Sequence, residues 1–336
     1  EKPLAINALL ALTLLESGRR AEAVRTLDFL LSACFAPGGA LNPCLTYDRE
    51  SCAFTPEQVC AALGGEDGLR VCRLLGLRRQ HTGLPPKVTP SRFSPVEDSP
   101  EADLPRTPTL PRSLTPEDAA FLRRVMPQLQ RVRAARTPPT PAPCILSEDC
   151  ALAATVFALC GRRLGESRYI QAAQRAVGYL AALSPALPPS YSPVSALNAQ
   201  LTCGAGAALA LALLTLGQAE ELHTYRESGL RLLGAALHAF TTPDGLPMHT
   251  PQDAAAFFPR IPAIWDSELP SPAALLLHAL ALADACRPQA GYKDAALVLW
   301  QAAAPYARQQ PLACAGLIDA AHFTLSESRE APPRPQ

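Results

Sequence analysis

The chain has 336 residues, of which 48% are hydrophobic and 18% charged, and its 30 basic and 30 acidic side chains give a formal net charge of +0. This apolar content excludes a disordered chain and suffices for a sizeable core. The balanced charge offers no basic field for nucleic acid or an anionic membrane, so neither is predicted as a partner.

Four segments repeat one pattern: an Ala- and Leu-rich helix, a short polar turn and a second helix. They are Ala8–Leu31, Ala153–Leu183, Ala207–Leu237 and Ala273–Ala304. A helical hairpin cannot bury its apolar face alone, so repeats of one hairpin predict neighbours stacked in an array or a ring.

Two helix starts are predicted between the first and second repeats. Thr55 and Thr115 are each followed by Pro and Glu, which combines a capping side chain, a proline suited to the first helical position and an acid near the positive end of the dipole. The predicted helices span 57–63, 66–75 and 117–133, and Pro127 should kink or split the last one. The Pro-rich stretch 78–114 is predicted to be an irregular insertion, mobile and protease-sensitive over 78–111.

The 11 cysteines include no C-x-x-C pair, and several lie in apolar helical runs. They are therefore predicted to be reduced core thiols, not metal ligands. The chain has neither G-x-S-x-G nor a phosphate loop, so no cofactor is predicted. The most apolar stretch, Ala205–Leu216, is shorter than the roughly 20 residues that span a bilayer and is predicted to be a buried helix.

Three segments carry a family resemblance. The chain opens EKPLAINALL against a family motif of roughly HFEKMLYDNALL, with Ile6 at an acidic position. Glu50–Leu77 is similar to EGxFYVWTxEEhxxxLGxEDAxxFCxxYGh, and DSELPSPAAL, starting at Asp266, resembles DGAEPSGNSV. These motifs, in this order, resemble the C-terminal part of the spermatogenesis-associated protein 20 family, which includes YyaL-like proteins. The resemblance covers nearly the whole chain.

The resemblance implies an all-α fold, an incomplete α/α toroid similar to six-hairpin glycosidases, as one domain over residues 1–336. The family's thioredoxin-like domain would precede residue 1 and is expected to be absent from this chain. Such a fragment should expose an apolar flank near Leu4, Leu9 and Leu12 and self-associate. The inner helices are expected at Ala5–Glu16, Ala151–Cys160, Ala205–Leu216 and Ala273–Ala283.

A toroid glycosidase needs two carboxylates flanking the scissile bond. The loop candidates are Asp48, Asp149, Asp244, Asp266 and Glu268, each of which is also an ordinary loop, turn or helix-start residue. Asp266 is favoured because it keeps the family motif and follows Trp265, an aromatic able to stack on a sugar. Trp265 and Asp266 are thus the predicted substrate-binding pair, and His249 is the second catalytic candidate after Asp266.

The family's polar positions are largely replaced in this chain. Ala142-Pro143-Cys144 stand at its DDK, Asp149-Cys150-Ala151 at its WNG and Thr202-Cys203-Gly204 at its EDY. The replacements predict a degenerate, non-catalytic member with a scaffold or binding role, which the family name associates with germ-cell development. The alternative is a carbohydrate-active or redox-coupled protein using the toroid mouth as a pocket. The partner is accordingly an unknown protein or a small carbohydrate-like ligand, and the compartment is open between cytoplasmic and secreted.

Overall fold

The structure is a computed structural model that describes residues 2–36, 38–45, 53–77, 108–109, 111, 113–136, 141–142, 144–183, 190–191, 202–218, 222–252 and 260–326. Where the sequence predicts one domain, the contacts divide the chain into two compact units. The large unit comprises Glu1–Leu45 with Pro141–Gln336, and the small unit comprises Thr46–Thr140. The candidate Asp48 and nearly all of the stretch predicted to be mobile, 78–111, lie outside the described residues.

Helices dominate the described residues. In chain order they are α1 (Leu4–Glu16), α2 (Arg20–Ala33), α3 (Pro56–Leu63), α4 (Gly65–Leu74), α5 (Pro116–Ala134), α6 (Ser147–Leu164), α7 (Ser167–Ala182), α8 (Cys203–Leu216), α9 (His223–Phe240), α10 (Pro272–Cys286), α11 (Tyr292–Gln309) and α12 (Ala315–Leu325). Two-residue strands pair antiparallel, β1 (Lys2–Pro3) with β2 (Cys44–Leu45) and β3 (Ile145–Leu146) with β4 (Ser190–Tyr191). A 3-10 turn, Pro311–Cys314, leads into α12.

The large unit is an incomplete α/α toroid, the fold class predicted from the sequence. Helices α1, α6, α8, α10 and α12 pack against one another in that order and form an inner layer. Helices α2, α7, α9 and α11 return on the outside, each packed on the inner helix that precedes it. Each of the four predicted inner helices coincides with an observed one, and every residue of α8 is buried.

Small residues allow the two layers to approach closely. A Cβ added at Gly161 of α6 would lie 3.0 Å from the backbone nitrogen of Ile170 in α7. One added at Gly229 of α9 would lie 3.0 Å from the backbone nitrogen of Leu214 in α8. The Ala and Gly content that identified these hairpins in the sequence is therefore a packing requirement, because larger side chains would force the helices apart.

Among the described helices, α1 packs against one other inner helix, α6. It also exposes apolar side chains. The exposed residues are Ile6 (37% exposed) and Leu10 (48%), which lie four positions apart on one helical face. Leu4 is fully buried, whereas Leu9 and Leu12 are half-buried. The predicted flank exists, but its placement at Leu4 was wrong because that side chain lies on the buried face of α1.

The small unit consists of α3, α4 and α5 around its own apolar cluster. Thr55 caps α3 in a reciprocal capping box with Gln58, and Thr115 caps α5 by accepting from the Asp118 N–H, so both predicted helix starts are confirmed. The sequence predicts a kink or a split at Pro127, and α5 is one helix through that residue, without a split. Pro127 is exposed, where its ring points away from the cluster.

All ten cysteines in the described parts of the chain are free thiols, and six of them are buried: Cys34, Cys72, Cys150, Cys160, Cys203 and Cys314. These six lie in the core as predicted, whereas Cys44, Cys60, Cys144 and Cys286 are half-buried. Within the same residues, no helix is both long and apolar enough to cross a membrane.

Candidate active site at the N-terminal rim

The inner helices of the large unit begin at one common end. Glu148 in the first turn of α6 packs against Gly204 in the first turn of α8. The carbonyl of His249 accepts a hydrogen bond from the N–H of Cys203, also at the start of α8, at 3.2 Å. Asp266 contacts the start of α10 and the start of α12. We call this end the N-terminal rim: the first turns of α6, α8, α10 and α12, with the adjoining residues 241–252 and 260–271.

Glu148 is a largely buried acid at this rim. Its carboxylate occupies the space that a Cβ on Gly204 would need, so the absence of a side chain at that glycine makes room for it. In the described part of the chain, no group donates a hydrogen bond to this carboxylate. Burial raises the pKa of Glu148 to about 7, with a further contribution from the charge of Asp149. Near neutral pH the side chain is therefore present in both protonated and ionised forms.

Asp149 and Glu268 lie on different segments of the rim and interact electrostatically. Burial raises the pKa of Asp149 to about 6, its own backbone N–H opposes that rise and the charge of Glu268 adds to it. Asp149 belongs to α6, whereas Glu268 lies just before α10, and α8 lies between these helices. Of these carboxyl groups, Glu148 is the one that reaches the first turn of α8, where Gly204 presents no side chain.

Asp266 has a different environment at the same rim. Its Oδ1 accepts from the N–H of Ser271, the residue before α10, at 2.8 Å. Its Oδ2 accepts from the N–H of Gly316, in the first turn of α12, at 2.6 Å. Its own N–H donates to the carbonyl of Ala313 at 2.7 Å. The side chain joins the starts of two inner helices, as a helix-capping carboxylate does.

The other predicted residues also lie on the rim. The half-buried ring of Trp265 packs edge-on against Tyr306 of α11, with ring centroids 6.1 Å apart. The side chain of His249 is exposed at the mouth, and partial desolvation lowers the pKa of its imidazole. Asp244 is exposed in the turn after α9, in which the Gly245 N–H donates to the Thr242 carbonyl at 2.8 Å, as the sequence predicts.

Glu148 was not a candidate in the sequence analysis. An acid in the first turn of a helix is the residue that the helix dipole favours, so the pattern alone gives it no special role. The available signal was its position two residues before a largely apolar, Ala-rich run, 150–158, which places it at the mouth of a crowded inner helix. Gly204, which makes room for the Glu148 carboxylate, is distant from it in the sequence, so the sequence does not show that the two residues meet.

Glu148 and Asp149 are suited to proton transfer. Paired acid and base catalysis usually uses two neighbouring groups with different pKa values. The group that keeps its proton near neutral pH is the acid, and the group that loses its proton at lower pH is the base. Within the described residues, no three His, Cys, Asp or Glu side chains are grouped to hold a metal ion. The chemistry available to the described side chains here is proton transfer and hydrogen bonding to ligand hydroxyl groups.

Three solved structures resemble the chain in the arrangement of their helices. A GH76 α-mannanase of Bacteroides thetaiotaomicron is 12% identical over 54% of this chain and 54% of that one, with a TM-score of 0.39. An inactive variant of a Salegentibacter α-1,6-mannanase, in complex with α-1,6-mannotetrose, is 13% identical over 56% and 55%, with a TM-score of 0.35. A D-mannose isomerase is 12% identical over 90% and 75%, with a TM-score of 0.43. The chain thus spans about half the length of the two mannanases.

No protein-family model matches the chain, and no curated protein matches it. The toroid implied by the family resemblance is observed. Membership of the spermatogenesis-associated protein 20 family itself stays a prediction.

Proposed function

We propose that the large unit binds a neutral, polyhydroxylated ligand of carbohydrate type at the N-terminal rim and transfers protons to and from it. The observation that carries the proposal is the adjacent pair Glu148 and Asp149 at the start of α6, with Glu148 reaching Gly204 of α8 and burial raising the pKa of both acids. In this scheme Glu148 is the general acid, and Asp149 supplies the base. Acid and base groups of this kind serve glycosidic cleavage and sugar isomerisation alike.

The charge of the rim supports a neutral ligand. The acidic residues of the rim segments, Glu148, Asp149, Asp266 and Glu268, would repel phosphorylated or carboxylated molecules. Their oxygens accept hydrogen bonds from hydroxyl groups, which a sugar presents in number. The exposed imidazole of His249 adds a further polar group at the same mouth.

The non-catalytic alternative is supported by the positions where the chain departs from the family pattern. Thr202, for example, uses its hydroxyl to cap α8 by accepting from the Ala205 N–H at 3.3 Å. The adjacent Cys203 is buried, and burial raises the pKa of its thiol, which disfavours the reactive thiolate. A redox role at this rim is thereby disfavoured, and a binding function without turnover remains the second candidate.

The experiment incubates the whole chain with a panel of neutral mono- and oligosaccharides, mannose and an α-1,6-linked mannooligosaccharide among them. Binding is followed by ligand-observed NMR and products by chromatography. Glu148→Gln should lower turnover by roughly 10² to 10⁴-fold and leave binding in place, because the amide keeps the shape but donates no acidic proton. Glu16→Gln is the control, since Glu16 is exposed at the C-terminal end of α1, away from the N-terminal rim.

The outcomes separate the two candidates. Turnover that is lost in Glu148→Gln and kept in Glu16→Gln supports the proposal. Binding of a sugar without any product favours the non-catalytic function. Turnover that is unchanged in Glu148→Gln would overturn the assignment of the acid.

A further inference from the structure

A cavity outside the N-terminal rim lies between the outer helices α7 and α9 and the inner helix α8, on which both pack. Its volume is about 510 Å³. Such a volume falls within the roughly 300–1,000 Å³ of small-molecule pockets. The walls are mainly apolar, with Val177 from α7, Leu209 and Leu213 from α8 and Leu232 from α9.

One wall of this cavity is formed by backbone alone. Gly178 of α7 lines it, and a Cβ added there would meet no heavy atom within 4 Å. The space in front of Gly178 is therefore open and is not filled by a neighbouring described side chain. A glycine in the middle of a helix costs about 1 kcal/mol relative to alanine, so the open wall is maintained against helix propensity.

The polar side of the cavity is formed by α9. Thr224, Ser228 and Arg231 line it, and Arg231 is the one charged residue among the described lining residues. The Arg231 guanidinium donates to the Ser228 hydroxyl at 3.3 Å and has no acidic partner in the described part of the chain. Elsewhere on the large unit Arg163 and Arg287 are each paired with a glutamate.

We infer that this cavity binds an amphipathic monocarboxylate, with its hydrocarbon body against the apolar walls and its carboxylate on Arg231. The apolar walls favour a hydrocarbon body because burying it removes apolar surface from water. The guanidinium fork matches a carboxylate in two parallel hydrogen bonds. A single unpaired positive charge selects one negative charge over a neutral or cationic head group. The inference is independent of the function proposed for the rim.

A protein partner fits the cavity less well than a small molecule. A stable protein interface buries about 1,200–2,000 Å² in total. The apolar surface described here is confined to the recess between α7 and α9 and ends at the exposed side of α9, where Arg231 and Gly234 reach solvent. The ligand proposed for this recess is therefore of fatty-acid type.

The first test measures decanoate binding to the full chain by calorimetry, with 1-decanol and decylamine as head-group controls. Decanoate should bind at least about tenfold more tightly than either control, because a hydrogen bond to a charged partner strengthens binding by that order. Arg231→Gln should weaken decanoate binding by roughly tenfold or more and leave decanol binding unchanged. Equal binding of decanoate and decanol, or no decanoate binding, would overturn the inference.

The second test fills the cavity with a matched pair of variants. Gly178→Leu should project its side chain into the open space and abolish decanoate binding. Gly234→Leu is the control, because Gly234 is also a helical glycine with nothing within 4 Å of an added Cβ but does not line the cavity. Loss of binding in the first variant alone supports the inference. Decanoate binding that is retained in Gly178→Leu overturns the inference. A change of oligomeric state in Gly178→Leu, measured by sedimentation, also overturns it, because the recess would then be a contact with a second copy of the chain.

Discussion

Two acids at the N-terminal rim occupy opposite environments. Asp266, between α10 and α12, has both carboxylate oxygens hydrogen-bonded to backbone N–H groups. Glu148, between α6 and α8, is largely buried and has no hydrogen-bond donor among the described residues. Donors and burial, more than residue type or motif, therefore decide whether a carboxyl group anchors the fold or holds a transferable proton.

The comparison also separates sequence motif from chemistry. Asp266 is the acid that the family resemblance favours, and the structure gives it a complete set of structural partners. It remains a predicted site residue, and the variants below show whether its contribution is to folding or to function.

The largest expected effect is on Asp266→Ala. The change leaves two N–H groups at helix starts without their acceptor, which should lower the free energy of unfolding by about 3 kcal/mol. Urea denaturation measures it, with Glu268→Ala as the control because Glu268 is exposed. Asp266→Asn should lower the free energy of unfolding by less, since its amide oxygen keeps one of the two hydrogen bonds from backbone N–H groups. A loss below about 0.5 kcal/mol in Asp266→Ala would contradict the anchoring role.

The second prediction concerns pH. The pKa of Glu148 is raised in the folded state, so the folded chain binds this proton more tightly than the unfolded chain. The resulting stability is fully present below the ordinary glutamate value and is lost as pH rises to about 7. Between pH 4 and pH 8 the free energy of unfolding should fall by about 3 kcal/mol from this group.

The matching measurement repeats the denaturation series with Glu148→Gln. The free energy of unfolding of this variant should fall less over this pH range than that of the parent. At pH 8 the variant should be more stable than the parent, whereas Asp266→Asn should be less stable. Identical pH profiles for parent and variant would mean that the Glu148 proton is not held by burial.

A smaller effect is expected from Gly204→Ala. The added methyl group overlaps the position of the Glu148 carboxylate, which must move. Alanine is the better helix former by about 1 kcal/mol, so the net loss of stability should be only about 1 kcal/mol. A double-mutant cycle with Glu148→Ala isolates the overlap, and the loss should disappear in that background. An equal loss in both backgrounds would show that other contacts of Gly204 cause it.

The smallest effect is expected from Asp149→Asn. Removing this charge should lower the pKa of Glu148 towards its ordinary value, but by less than burial raises it, because burial is the larger cause. NMR titration of the Glu148 carboxyl carbon gives the shift directly. A rise in the pKa of Glu148 would mean that Asp149 stabilises the charged form of its neighbour.

Local signals predicted much of the fold. The inner helices were located because small apolar residues recur without interruption, and the starts of α3 and α5 because Thr55 and Thr115 cap them in the usual way. These features depend on residues within one or two turns of each other. That α5 continues through Pro127 without a split does not follow from local signals, because the exposed position of Pro127 depends on which face of α5 packs in the small unit.

The sequence by itself determined the helical hairpins, the buried thiols and the loops that carry the rim residues, since each follows from neighbouring residues in the chain. Only the tertiary structure decided that Glu148 meets Gly204 and that Asp266 joins Ser271 to Gly316. Each of these contacts links residues that are far apart in sequence or on different elements. The burial and hydrogen bonding that set the chemistry of a carboxyl group therefore exist only once the inner helices are packed side by side.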